Sequence, residues 1–567
     1  MPRPARLFAL HVVIGAMLVV SLGRLWYLQV ADGAAYVRAA AETRVRTVAL
    51  APVRGRILDV TGLPLVANRT VPVVAVDYMA LTHQADGGRA VLARLAEVLR
   101  EPYARVAERV RLCGGDVRRP CWPGSPYQPI PVAGDVDVPT ALQITERQEE
   151  FPGVSTELQP VRTYPLKAAA VHTLGYVQAG IGQDGLEAAY ERDLAGRPGR
   201  RDVVVSSTGE VAHVLREVPP APGADLVTSI DARIQQVSER ALADAIAAAR
   251  RRGLPADSGA VVVLEAKTGR VTALAANPAY NPEVWTGGIS QREFEELPLA
   301  SRAVLGQWPP GSTWKVASVA AAAKAGYDLS ASYDCPGSYR VGDRSFRNFG
   351  GIALGRMDLR EALVKSCDTI FYRIADELWT GRDDDVLGEV AKGFGFGART
   401  GVDLPSEAKG AVPGTGDLPG HAANFSIGQG DVLVTPLQLA RAYAAIANGG
   451  TLFTPRVAKA VVRPGGEVIR TITPRSERVP VPPAVLAFIR DALTDVPRTG
   501  TAAAAFTGFR QPIAGKTGTA EVAGRADTSW FASFDQEHVV VVVVSQGGTG
   551  AETAAPAARV VWEGMAL

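Results

Sequence analysis

Three short stretches carry side chains whose types and spacing can do chemistry. In PPGSTWK, Ser312 and Lys315 stand three residues apart, and the alanine-rich VASVAAAAKAG that follows is a strong helix former. On a helix this spacing puts a hydroxyl and an amine on one face, about 5–6 Å apart at Cβ. Such a lysine takes the serine proton if its own pKa falls, and burial beside other cations lowers it. In VKSCDTIFY, Ser366 and Asp368 lie at a junction between two helical stretches, LREALVK and TIFYRIADEL, where side chains can project into a cleft. In IAGKTGTAE, Lys516, Thr517, Gly518 and Thr519 precede a hairpin. An edge strand is expected there, with a glycine that lets a ligand backbone come close.

Each stretch also has a plain structural reading. Ser312 and Asp368 are both normal helix N-caps. A second KTG, Lys267-Thr268-Gly269, sits between two apolar runs ahead of the serine and reads as a turn. The six histidines are scattered, with no HExxH or HxH, so neither a metal site nor a cofactor is expected. Of the four cysteines, Cys113 and Cys121 share a Gly/Pro-rich loop and suit a local disulfide in an oxidising exterior, with zinc as the weaker alternative. Cys335 and Cys367 show no obvious partner.

The elements around these stretches follow from pattern. The chain has 567 residues, 47% of them hydrophobic and 21% charged, which predicts two or three globular domains. A net charge of +2, with no aromatic-basic stripe, argues against nucleic acid. Residues 7–30 are apolar enough to span a bilayer, behind two arginines in the tail 1–6 and ahead of Trp26 and Tyr27. With no clear cleavage site, this reads as an uncleaved anchor with a cytoplasmic N-terminus, everything beyond it lying outside the cytoplasm. Residues 31–222 form a mixed domain without a catalytic cluster: a strand–turn–strand over 53–68, a helix over 90–112, a loop-rich stretch over 114–160, then short helices. PPAPGAD marks a boundary, and residues 223–567 form the second domain. There Asp231 caps a long helix, two strands flank AKTG, several helices occupy 312–400, a hairpin covers TSWFASF and VVVVVVSQ, and a helix closes the chain. Strands at both ends of this half and helices between predict an α+β fold with an antiparallel sheet flanked by helices.

The order SxxK, SxD, KTG resembles the signature of the penicillin-recognising acyl-serine enzymes. With RGRILDVTG, RTYP, HTLGYV, GLEAAYERDLAG and SIGQGDVLVTPLQLARAYAAIANGG, the whole chain resembles a class B penicillin-binding protein, a peptidoglycan D,D-transpeptidase. That likeness implies a non-catalytic dimerisation-type pedestal over 31–222 and a transpeptidase domain over 223–567. It implies Ser312 as nucleophile, Lys315 as base, Ser366 as proton relay and Lys516 as a holder of the network. It implies an oxyanion site at the Ser312 and Thr519 N–H groups, with Asp368, Thr517, Gly518 and Thr519 on the substrate side. The implied substrates are stem peptides ending in D-Ala-D-Ala, with β-lactams as covalent inhibitors. No glycosyltransferase domain is visible, so the likeness also implies a membrane glycan polymerase of the SEDS type as partner. Asp368 departs from the commoner asparagine and leans toward elongation-type members.

The rival readings are a D,D-carboxypeptidase or β-lactamase, in which water replaces the acceptor amine, a β-lactam sensor, and a non-catalytic scaffold. No deacylating glutamate is identifiable, one short anchor offers little to a sensor, and the intact Ser312, Lys315, Ser366 and Lys516 argue against a scaffold.

Overall fold

The computed structural model describes residues 3–31, 45–114, 121–122, 124–178, 180–205, 211–285, 291–381, 385–414 and 419–566. Met1 and Pro2 of the expected cytoplasmic tail and residues 32–44 of the expected pedestal lie outside them. The chain divides into two units. One holds Met1–Val53, Arg69–Val161 and Gly196–Pro222; the other holds Arg54–Asn68, Arg162–Ala195 and Gly223–Leu567. Two stretches that the sequence reading places in the first domain therefore fold with the second.

In the first unit, Arg3–Trp26 is helical and continues through a wider turn to Ala31. The segment Leu10–Val30 is long and apolar enough to cross a membrane. The helix expected over 90–112 is broken in two, Arg89–Leu99 and Tyr103–Val110. Arg100 turns left-handed at φ 54°, and Pro102, with no N–H to donate, starts the second helix. The stretch expected to be loop-rich holds strand Ile130–Ala133, helix Val138–Glu146 and strand Val154–Thr163. The apolar faces of these elements meet in a core that includes Val74, Leu95, Val106, Ile130 and Phe151.

The second unit is built on a five-stranded sheet. Its strands are β1 (Ser258–Glu265), β2 (Val271–Asn277), β3 (Ala514–Ala520), β4 (Thr528–Phe534) and β5 (His538–Ser545). The order is β2-β1-β5-β4-β3, antiparallel throughout, so β3 lies at an edge as expected. The six valines of β5 are all buried, as is every residue of β4, which requires cover on both faces of the sheet. Helix α1 (Ala232–Arg251) begins where the Asp231 carboxylate accepts the N–H groups of Arg233 and Ile234. It packs against β2 and against the closing helix Ala555–Met565, while helix Pro436–Ala447 packs against β1, β4 and β5. Three further helices carry the site: α2 (Lys315–Lys324), α3 (Leu359–Lys365) and α4 (Thr369–Thr380). A second, smaller ladder pairs Asp225–Thr228 with residues 57–58 and with Ala458–Val462, tying residues 54–68 to this unit through the backbone.

Candidate active site

Ser312 does not cap a helix. It sits inside a tight turn, Gly311–Trp314, that leads directly into α2. Among the described residues its partly exposed hydroxyl has no hydrogen-bond partner. The turn is held from several sides. Gly311 N–H donates to Gly428 O at 2.9 Å, Trp530 Nε1 to Pro309 O at 2.9 Å, and Tyr443 Oη to Thr313 O at 2.8 Å. Trp314, fully buried, packs on Phe396 and Phe425. Two glycines bring this turn against β3. Gly311 has φ +53°, and a Cβ there would lie 2.7 Å from Thr519 O; a Cβ on Gly518 would lie 2.7 Å from Pro310 O. Any side chain at either position would push the turn off the strand.

Lys315 opens α2 one turn beyond Ser312, on the same face. Its side chain is wholly buried, and its Nζ donates to Asp368 Oδ1 at 2.6 Å, Ser366 O at 2.8 Å and Ser366 Oγ at 3.2 Å. Nζ also stands 5.4 Å from the centre of the Phe371 ring. From β3, the equally buried Lys516 donates to the same Ser366 Oγ at 2.9 Å and to Thr517 O at 3.1 Å. Ser366 thus bridges two amines. It ends α3 with φ 59° and ψ 38°, a left-handed conformation that non-glycine residues rarely adopt and that concentrates at functional sites.

Asp368 does not cap α4 with its side chain either. Its carboxylate turns to Lys315, with Oδ2 accepting the Phe349 N–H at 3.3 Å. This answers what a charge does where an amide is commoner: it anchors the Lys315 ammonium. Both lysines titrate below their ordinary range. Burial pulls Lys315 down, and the charge and hydrogen bond of Asp368 oppose this without cancelling it. Burial, and then the charge of Lys315, push Lys516 further down. Two buried amines face one carboxylate, so the balance of charge favours losing a proton from one of them.

The Thr517 hydroxyl meets that of Thr501 at 2.5 Å, and Thr519 Oγ1 accepts the Gly550 N–H at 3.2 Å. Ser312, Lys315, Ser366, Asp368 and Lys516 are therefore brought into one cluster, with the strand carrying Thr517, Gly518 and Thr519 against the turn of Ser312. The other KTG lies in the turn between β1 and β2, with Lys267 exposed and paired to Glu537. No group of three or more potential metal-ligating side chains occurs among the described residues.

Four features escaped the sequence. Cys335 and Cys367 form a disulfide, alongside the Cys113–Cys121 disulfide that the sequence did suggest. An even cysteine count was the only signal for the first pair, whose members lie 32 residues apart. Asn348, Thr501 and the Phe349 N–H reach the site from segments with no chemical signature of their own.

Residues 259–563 match the penicillin-binding protein transpeptidase domain, and residues 49–228 match the penicillin-binding protein dimerisation domain. Among curated proteins, the peptidoglycan D,D-transpeptidase MrdA of Acinetobacter baumannii is 29% identical over 98% of this chain and 86% of its own length. MrdA of Escherichia coli K12 is 27% identical over 96% of this chain and 91% of its own length. A solved chain from a study of how a peptidoglycan synthase complex coordinates polymerization and crosslinking superposes with a TM-score of 0.70. It is 29% identical and covers 99% of this chain and 98% of its own.

Proposed function

Because the chain belongs to the penicillin-binding protein transpeptidase family, we infer that it is a peptidoglycan D,D-transpeptidase, with Ser312 as its nucleophile. The observation that carries the residue assignment is the Ser366 hydroxyl held between the amines of Lys315 and Lys516. In the first step the Ser312 Oγ attacks the carbonyl of the penultimate D-alanine of a stem peptide, and the neutral Lys315 amine takes its proton. The carbonyl oxygen becomes an oxyanion facing the N–H groups of Ser312 and Thr519, donors worth about 3–4 kcal/mol each in acyl transfer. When the tetrahedral centre collapses, the C–N bond breaks. Ser366 passes a proton from the lysine pair to the departing D-alanine amine. The amine of a second stem peptide then attacks the ester, its proton returns through the same relay, and Ser312 is released as the crosslink forms.

Asp368 keeps the Lys315 amine aimed, and Lys516 completes the relay. The stem peptide lies along the free edge of β3, with Gly518 admitting its backbone and the Thr517 and Thr519 hydroxyls receiving its terminal carboxylate. β-Lactams mimic that terminus and stop at the acyl-enzyme.

The N-terminal helix serves as a single-pass anchor in the cell membrane, its arginines on the cytoplasmic side and the catalytic unit outside. Both disulfides suit that oxidising side. The MrdA relatives favour an elongation-type role in cell shape. The relative taken from a peptidoglycan synthase complex favours a SEDS-type glycan polymerase as partner.

The test is intact-protein mass spectrometry of the chain with and without benzylpenicillin, followed by peptide mapping. A stable adduct on Ser312, absent from Ser312→Ala, is the expected result. An adduct on the Ser312→Ala protein would move the nucleophile elsewhere. Rapid drug turnover would make the enzyme a hydrolase.

A further inference from the structure

Asp368 stands at the N-cap position of α4 but leaves that helix uncapped. The first N–H groups of a helix have no partner within it, and when buried they must find one outside. Here they find Asn348, 20 residues earlier and almost completely buried. Its Oδ1 accepts the N–H of Asp368 at 2.9 Å and of Thr369 at 3.0 Å. Its Nδ2 donates to Pro336 O at 2.9 Å and Ile352 O at 2.8 Å, and reaches Cys335 Sγ at 3.3 Å. Every capacity of the amide is used, which fixes its orientation.

We propose that Asn348 is a positioning residue for acylation: it pins the backbone at the start of α4 from a neighbouring loop, and so holds the Asp368 carboxylate against Lys315. Asp368 has helical φ and ψ (−89°, −40°), not the extended backbone from which an N-cap side chain folds back onto its helix. With that backbone held by Asn348, one carboxylate oxygen goes to Lys315 and the other to the Phe349 N–H. The Cys335–Cys367 disulfide and the bond from Thr369 Oγ1 to Pro336 O, 2.9 Å, tie the same loop to the same turn. The inference rests on the assignment of Ser312 and Lys315 as nucleophile and base.

The experiment measures the acylation rate of the full-length chain in detergent with a fluorescent penicillin across pH, for wild type, Asn348→Ala, Phe349→Pro and Ser312→Ala. The charged groups facing Lys315 are Asp368 and Lys516. In wild type the rate rises with pH as Lys315 loses its proton. In Asn348→Ala the Asp368 backbone is no longer pinned, the carboxylate moves off Lys315, and the acid limb moves to lower pH. The plateau rate falls about 10- to 100-fold because the amine is no longer aimed. Phe349→Pro removes one donor to Asp368 at the first position of a short helical turn, where proline is tolerated, and its side chain is exposed. With one donor fewer, the carboxylate holds the Lys315 proton more tightly, so the limb moves slightly to higher pH, opposite to Asn348→Ala; should Asn348→Ala fail to fold, Asn348→Ser, which shortens the acceptor, is read in its place. A merely structural role would lower the labelled fraction and leave the limb in place, which overturns the proposal. So does a variant within twofold of wild type at every pH. Labelling of Ser312→Ala would instead overturn the underlying assignment.

Discussion

Arg54, Arg162, Glu187 and Glu191 form one cluster of charges in the catalytic unit; Lys315, Lys516 and Asp368 form another. The first is balanced. Glu187 is fully buried and takes Arg54 Nε at 2.6 Å on one oxygen and Arg162 Nε at 2.7 Å on the other, while Glu191 takes Arg54 Nη2 at 2.6 Å. Burial pulls Arg54 down, but the hydrogen bonds and charges of Glu191 and Glu187 win, and it titrates above its ordinary value. The second cluster is short of anions: one carboxylate faces two buried amines, and both titrate low. Matched charges make a clamp that no change of pH near neutrality loosens. Mismatched charges make a site in which a proton can move.

The sharpest way to separate the two is to remove one cation from the mismatched cluster. Lys516→Met keeps the volume of the side chain and deletes the amine. The acylation rate is expected to fall by roughly 10²–10⁴-fold, the range for losing a positioned proton-transfer group. The melting temperature should hold or rise, because a buried amine with a poor hydrogen-bond set costs desolvation. A stopped-flow acylation assay and a thermal melt on one preparation check both halves. A large loss of stability with normal acylation would put Lys516 in the class of Arg54.

Glu187→Gln makes the opposite break. It removes the carboxylate shared by Arg54 and Arg162, leaving Arg54 with Glu191 alone, and breaking such a buried pair usually costs about 3–5 kcal/mol. Urea denaturation should show that loss, while protein that is still folded acylates at the wild-type rate. If instead the rate fell in parallel with no change in midpoint, the clamp would be part of the catalytic apparatus.

The contrast also explains what the sequence disclosed. SxxK and KTG are local spacings, and the structure needs only one helical turn and one edge strand to make sense of them, so Ser312, Lys315 and Lys516 were legible. The fold class was legible too, because the valine run of β5 and the alternation of strands and helices are set by burial. Asp368 was half legible. The family likeness placed it on the substrate side, whereas its carboxylate turns to Lys315 instead of capping α4, and Asn348 pins its backbone from 20 residues away. Such a link has no period, and Asn348 in RSFRNFGG looks like any loop asparagine. Cys335 and Cys367 likewise needed the fold, since a disulfide depends on a Cα separation, here 6.4 Å, that a sequence separation of 32 does not reveal. The break of the 90–112 helix turned on Arg100 taking a left-handed conformation just ahead of Pro102.

The two KTG triplets give the smallest expected effect and a clean control on the motif itself. Lys267 and Lys516 are both followed by Thr-Gly and have opposite surroundings. Lys267 sits on a turn, its side chain 58% exposed and paired with the 60% exposed Glu537. Lys516 sits within an edge strand at 0% exposure. An exposed pair of this kind contributes about 0–1 kcal/mol, and salt weakens it further. Lys267→Ala should therefore leave acylation unchanged and move the denaturation midpoint hardly at all, with any difference vanishing at high ionic strength. The triplet has chemical meaning only where a sheet edge, a glycine pressed against the turn of Ser312 and a burial deep enough to depress an amine coincide. A Lys267→Ala protein with slowed acylation would show that the turn between β1 and β2 reaches the site through the sheet.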